Sequence, residues 1–351
     1  MKKLLNITAL SLVFTFSGIV LTGCEDEGGT FTADEARAEL IQAGEEIMYN
    51  MGMAMQMPAM ESMTFFVGLS GIEVEFKTAP IALFPQRGKP YIPGYGLMGE
   101  FIEAVAVSSH AKQMEGGVFQ YNFDTGQFDL INSNVNYLEF VYPANYDALV
   151  NRQLNASVRI ENLEMIGIEV DGYMEILPVS AEVILRIDGQ QVMHMSMQMQ
   201  YNQNALPTEA SLVVDMPPYL MNVEYSGSGR NYTANASFKE GTKVLLQVQN
   251  MSLVYTHSED ELERANGSIQ ITPLLFNGSV EVLAMENCND NIDCMNDNLD
   301  VEVRHSVKNM KIGMLEYRMY NDPGFGSYPD LVVVYADGTY DFLSELFDTD
   351  F

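Results

Sequence analysis

The stretch Met193-His194-Met195-Ser196-Met197-Gln198-Met199-Gln200-Tyr201 alternates apolar and polar side chains at every step. Period two is the spacing of a strand, whose successive side chains point to opposite faces, so the apolar set falls on one face and the polar set on the other. A sheet built from such strands is covered on one side and wet on the other, the usual state of an antiparallel meander. The same period recurs in Phe119, Tyr121 and Phe123, and again in Tyr232, Ala234, Ala236 and Phe238. Turn residues fall between extended runs at Asp124-Thr125-Gly126, Asp171-Gly172, Asp188-Gly189, Glu240-Gly241, Asn266-Gly267, Asn277-Gly278 and Asp337-Gly338. Asp-Gly and Asn-Gly favour the primed turns of β-hairpins. No repeat of fixed length appears, which argues against a propeller or solenoid. The expected fold is mainly β: a large curved antiparallel meander, an open barrel or a sandwich, with an N-terminal methionine-rich helix packed against it.

That helix is read from Thr32-Ala33-Asp34-Glu35, a capping box, and from the helix formers that follow as far as Met57. Ala36, Leu40, Ala43, Ile47 and Met51 recur at three- and four-residue spacing and form one apolar face. Met51, Met53, Met55 and Met57 then alternate, and no charge occurs between Ile47 and Met60. Such a helix is apolar all round and is expected to be buried, inside or across the curved sheet. Pro58 is expected to kink or restart it before Ala59–Leu69, and the polar residues within it argue against a membrane span. Residues 70–116 are broken by Pro80, Pro85, Pro90 and Pro93, with a short helix expected from Phe101 to about Gln113. The organisation expected is a leader (1–23), an acidic tether (24–31), a helical and irregular segment (32–115) and an antiparallel β region (116–351) holding one large sheet or two subdomains.

Composition narrows the function classes. The 351 residues include 18 Lys+Arg against 48 Asp+Glu, a net charge of -30, with 47% hydrophobic residues. The chain is too apolar for disorder and too acidic to neutralise phosphates, which excludes a nucleic-acid partner. Lys2 and Lys3 followed by the apolar run Leu4–Leu21 read as a secretory signal. It closes on Leu21-Thr22-Gly23-Cys24, which resembles the lipobox of bacterial lipoproteins. The resemblance implies acylation of Cys24 and cleavage before it, making Cys24 a membrane anchor. So acidic a body is repelled by anionic headgroups, and attachment must come from the acyl chains.

The run Glu25-Asp26-Glu27 after the anchor is similar to the export signal of Bacteroidota lipoproteins; in other Gram-negative groups such acids mark retention at the inner membrane, and a solvated tether is a further alternative. Tyr142-Pro143, Leu177-Pro178, Ile187-Asp188-Gly189-Gln190 and Leu206-Pro207 also resemble large cell-envelope lipoproteins of that type. The resemblance implies an outer-membrane, surface-displayed lipoprotein, with an envelope protein as one class of partner.

Cys288 and Cys294 are expected to form a disulfide, because thiols outside the cytoplasm oxidise and the spacing is not that of a zinc site. Asn289, Asn291, Asp293, Asp297 and Asp300 fall at positions 1, 3, 5, 9 and 12 of an EF-hand-like register, which suits calcium, although Cys294 stands where the turn wants Gly. A solvated acidic loop is the alternative. Two Met-x-Met series raise Cu(I), core packing, or an apolar cavity for a lipid-like ligand lined by Met51, Met55, Met193, Met195, Met197 and Met199. Gly94-Tyr95-Gly96-Leu97-Met98-Gly99 matches a dinucleotide fingerprint on paper but lacks the βαβ setting it needs. The four histidines, His110, His194, His257 and His305, are scattered, and no nucleophile motif is present, so the expected role is non-catalytic. Two readings follow: a lipid-anchored binding or scaffold module with an apolar cavity between helix and sheet, or a calcium-stabilised adhesin-like or glycan-contacting module.

Overall fold

A computed structural model describes residues 29–70, 116–170, 172–256, 261–322 and 326–346. Cys24, the acidic run after it, the Gly94–Gly99 motif, the helix expected near 101–113, His110 and His257 lie outside the described residues.

The first helix, α1 (Ala33–Met55), starts where the capping box places it: the Thr32 hydroxyl accepts from the Glu35 N–H, and the Glu35 carboxylate accepts from the Thr32 N–H at 3.0 Å. A second helix, α2 (Pro58–Ser70), restarts at Pro58, where a proline at the first helical position costs no hydrogen bond. The strands follow in chain order: β1 (Gly117–Asn122), β2 (Gln127–Asn132), β3 (Leu138–Tyr142), β4 (Ala156–Val170), β5 (Tyr173–Ile187), β6 (Gln190–Tyr201), β7 (Pro207–Met216) and β8 (Tyr219–Ser228). Then come β9 (Asn231–Glu240), β10 (Lys243–Tyr255), β11 (Leu262–Ile271), β12 (Leu274–Val280), β13 (Leu299–His305), β14 (Met310–Asp322), β15 (Gly326–Val334) and β16 (Tyr340–Phe342). A short helix, α3 (Tyr146–Val150), joins β3 to β4, and α4 (Val282–Glu286) and α5 (Ile292–Asp297) join β12 to β13. A final short helix, α6 (Leu343–Leu346), follows β16.

Among the described residues the strands form one sixteen-stranded open sheet whose spatial order is nearly the chain order. From β3 to β16 each strand pairs antiparallel with its successor, and only β1 against β3 is parallel. The expected meander is therefore present as a single sheet, with the helices packed on it. Alternation sets which face is covered: Met193, Met195, Met197 and Met199 on β6 are at most 4% exposed, while the polar residues between them are more open.

The helices cover one side of the sheet from end to end. The first half of α1 places Ala36, Leu40 and Ala43 in a core with Phe276, Val303 and Val333 of the late strands. α2 places Ala59, Met63, Phe66 and Val67 in a larger core with the early and middle strands. Phe66 meets Phe140 and Phe128 edge-on and lies 4.9 Å from Tyr142. The Tyr142 phenol donates to the Ser62 carbonyl, the Ser62 hydroxyl donates to the phenol at 2.9 Å, and burial raises the phenol pKa. Between the two cores, Lys243 of β10 ties α1 down through Glu46 at 3.0 Å and the Asn50 side-chain oxygen at 3.3 Å.

Three expectations are corrected. First, α1 is not buried all round: Tyr49, Met53 and Met55 are 69, 45 and 42% exposed. The sheet covers one side only, and the side it covers carries the small residues Ala36, Ala43, Gly44 and Ala54, which let the helix sit close.

Second, Asn266-Gly267 is no turn but the middle of β11. A Cβ on Gly267 would stand 2.8 Å from the Met251 Cα, where β10 bulges between Gln249 and Ser252. Third, Asn277-Gly278 lies inside β12, where a Cβ on Gly278 would stand 2.0 Å from the Asp300 carbonyl oxygen. Both glycines serve close strand approach. The turn that joins β11 to β12 is Thr272-Pro273, with a cis peptide bond, and a second cis bond, Pro217-Pro218, lies in the turn between β7 and β8.

Candidate functional site

On α2 the positions Ala59, Ser62, Met63 and Phe66 face the sheet, so the set three and four residues apart on the other side, Glu61, Thr64, Phe65 and Gly68, faces away. That outward face forms one wall of a groove of about 760 Å³. Met55 and Gln56 at the end of α1 and Leu69 of α2 extend it, and Leu149 of α3 stands opposite. The Asn145 side chain fixes α3 by capping it through the Ala148 N–H at 3.0 Å. Leu149 is thus presented by a held turn rather than a free loop. The lining is apolar apart from Glu61, Thr64 and Gln56, and the volume is within the roughly 300–1,000 Å³ usual for small-molecule sites. A Cβ built on Gly68 meets no atom within 4 Å, so the groove passes directly over the helix backbone there.

The six methionines expected around one cavity are divided. Met193, Met195, Met197 and Met199 are core residues, with Met195 only 1% exposed, and they fill space rather than line it. Met51 is half-buried on α1, and Met55 alone lines the groove. His194 projects from the wetter face of β6, its Nε2 3.8 Å from a Glu182 carboxylate oxygen, and shares no face with the buried methionine row.

Cys288 and Cys294 form the expected disulfide, with Cα atoms 5.6 Å apart. The calcium register is corrected. A loop that wraps a cation must stay open through its middle, but Ile292–Asp297 is helical, and the Asn291 side-chain oxygen accepts the Cys294 N–H at 3.1 Å as the helix cap. Asn289 donates its amide to the Asn287 carbonyl, and Asp300 is exposed within β13. Asn289, Asn291, Asp293, Asp297 and Asp300 are thereby spread over a turn, a cap, a helix and a strand. Among the described residues no group of three or more His, Cys, Asp or Glu side chains is placed to hold a metal ion. The loop is held to the sheet by Asn296, whose side chain accepts the Tyr317 N–H at 2.6 Å and donates to the Tyr317 carbonyl at 3.2 Å.

A second polar cluster joins α1 to the last strands. Glu39 lies 3.3 Å from His305 Nε2 and accepts from Lys308 Nζ at 2.6 Å. His305 Nδ1 accepts the N–H groups of Val307 and Lys308, both at 3.3 Å, so the proton of the neutral ring sits on Nε2 facing Glu39. Burial lowers the His305 pKa; Glu39 works against that shift and Lys308 adds to it. Beside this cluster, Arg37 donates to Asp341 at 2.6 Å, and the Tyr335 hydroxyl donates to the same carboxylate oxygen at 2.7 Å. Asp330, 7% exposed, accepts from the Ser344 hydroxyl and the Leu331 N–H, and burial raises its pKa. These groups face one another and are saturated, which makes them fastenings rather than an open polar cleft.

No family model, curated protein or solved structure matches this chain. Sequence reasoning missed the groove because it needs α3, a five-residue helix too short to show a period, and because the outward face of α2 is visible only once the inward face is known. Among the described residues no helix is long and apolar enough to cross a membrane.

Proposed function

We propose that the protein is a lipid-anchored, non-catalytic binding module of the bacterial cell envelope, attached through acylated Cys24, that takes an apolar, chain-like ligand in the groove between α2 and α3. The observation that carries this reading is the groove itself, with Phe65, Leu69, Met55 and Leu149 turned into it and few polar groups to satisfy. Methionine suits such a surface, because its unbranched, polarisable side chain adapts to a ligand without one fixed shape. The leader and lipobox-like Leu21-Thr22-Gly23-Cys24 support placement at the membrane, and the acidic body supports standing clear of it.

Gly68→Phe tests the site. The new ring leaves from a Cβ that meets no described atom within 4 Å, and loss of a helical glycine is expected to stabilise α2 by about 0.3 kcal/mol, less than an alanine would give because phenylalanine is a poorer helix former. In the chain carrying Cys24→Ser to remove the anchor, a dansyl-labelled fatty acid is expected to bind, and Gly68→Phe is expected to weaken that binding at least tenfold with Tm unchanged or raised. Equal binding by both proteins would remove the groove from consideration.

A further inference from the structure

β4 and β5 are longer than the strands beside them. β3 pairs with β4 only from Ala156 to Ile160, and β6 pairs with β5 only from Ser180 to Ile187. Beyond Glu164 and Ser180 the two strands pair, among the described residues, only with each other, out to Val170 against Tyr173. The sheet therefore throws out a two-stranded ribbon, separated from the body by a bulge between Glu161 and Glu164. Its cross-strand pairs place Ile166 with Leu177 and Val170 with Tyr173 on one face, and Met165 with Pro178 on the other. Neither face is polar. Met165 and Ile166 are 41 and 42% exposed, and Met174 and Tyr173 are 63 and 78% exposed. A free two-stranded ribbon is marginal in water, and an apolar one with unpaired outer edges is a template for further strand pairing.

Charge decides what the template admits. In β4 the ribbon carries Glu164 and Glu169, and the sequence from 163 to 178 contains no Lys, Arg or His. A second copy would bring the same two acids to the same place, on a chain of net charge -30, so like charges oppose self-pairing. An anionic bilayer is opposed for the same reason.

We infer that the β4–β5 ribbon is a docking element for another protein, and that it accepts an extended segment in which apolar residues alternate with Lys or Arg. Main-chain pairing along a ribbon edge supplies the register, the apolar residues supply the buried area, and Glu164 and Glu169 select for a basic strand over an acidic one.

The test uses the full chain with Cys24→Ser and three fluorescent peptides: Val-Lys, Val-Glu and Ser-Lys repeats of eight residues. Binding is read by anisotropy at two salt concentrations. The Val-Lys peptide is expected to bind at least tenfold more tightly than either of the others, and more weakly at high salt. The quadruple variant Met165→Ser, Ile166→Ser, Tyr173→Ser, Met174→Ser keeps the charge and is expected to lose that binding at least tenfold. Its thermal unfolding is expected to stay close to the parent's, because the four side chains replaced are 41 to 78% exposed. Glu164→Lys with Glu169→Lys, which leaves the apolar residues in place, is expected to lose the preference for Val-Lys over Val-Glu. Equal binding of Val-Lys and Ser-Lys, or unchanged binding by the quadruple variant, would show attraction to the acidic surface at large and overturn the proposal. Ribbon-dependent dimerisation in sedimentation, or ribbon-dependent binding to phosphatidylglycerol vesicles, would overturn it in favour of those occupants.

Discussion

His305 shows how a single side chain couples the two ends of the chain to pH. Its ring is 7% exposed and neutral, and its folded pKa lies below that of the unfolded chain. As pH falls through the ordinary histidine value near 6.5, the unfolded state takes up a proton that the folded state does not, so folded stability falls. The contribution is complete above that value and is eroded as pH drops toward the lowered folded pKa. His305→Gln removes the ionisation, so the difference in Tm between parent and variant is expected to shift in the variant's favour between pH 7 and 5.5 in paired calorimetric scans. A difference constant across that range would show that the ring titrates equally in both states. His305 was indistinguishable from the other three histidines in the sequence, because its burial depends on Glu39 and Lys308, which reach it only in the folded sheet. Gly267 and Gly278 were misread for a related reason. An Asn-Gly pair is favoured both in a primed turn and where strands crowd, and only the partner strand tells which applies.

At the scale of elements, the strands announced themselves where one face is covered and the other wet. β6 and β9 follow their alternation residue by residue, and the capping box opens α1 at Thr32. The ribbon half of β4, Glu164-Met165-Ile166-Gly167-Ile168-Glu169-Val170, does not alternate, and this lack of alternation is the legible sign that neither of its faces is packed like the rest. The short helices α3, α4 and α5 were silent, being too brief for a period of 3.6 residues to show. α5 carries its own test. Closing a loop of six residues with the Cys288–Cys294 bond contributes about 2 kcal/mol by chain entropy alone. Cys288→Ala with Cys294→Ala is expected to lower stability by about that amount in urea unfolding while the chain still folds, because Asn296 continues to hold the loop on Tyr317. Calcium is expected to restore none of the loss. Recovery on adding the ion would revive the EF-hand-like register.

For the whole molecule, charge is the property that composition alone decides. Acidic residues outnumber basic ones 48 to 18, so the folded state carries self-repulsion that its ion pairs do not cancel. Raising NaCl from about 0.01 to about 0.15 M shortens the screening length from about 30 to about 8 Å, and Tm is expected to rise in differential scanning calorimetry. A fall would mean that links such as Lys308 to Glu39 and Lys243 to Glu46 outweigh the repulsion.

The order of the sheet was legible as a meander and a helix packed on it was expected, whereas the closure that brings α1 onto the last strands was not legible, since no local pattern joins residues so far apart. That closure bears on how the chain is made. Arg37 is fastened to Asp341, 304 residues later, and Glu39 to Lys308, 269 residues later. Strands can join the growing sheet one after another as they emerge, but α1, made first, has no seat until the last strands exist. At 5–20 residues per second the wait is on the order of 15–60 s, with the face that carries Ala36, Leu40, Ala43 and Ile47 in the open throughout. Whatever escorts this protein before it folds must therefore shelter the sheet-facing side of residues 33–55 for longer than any strand.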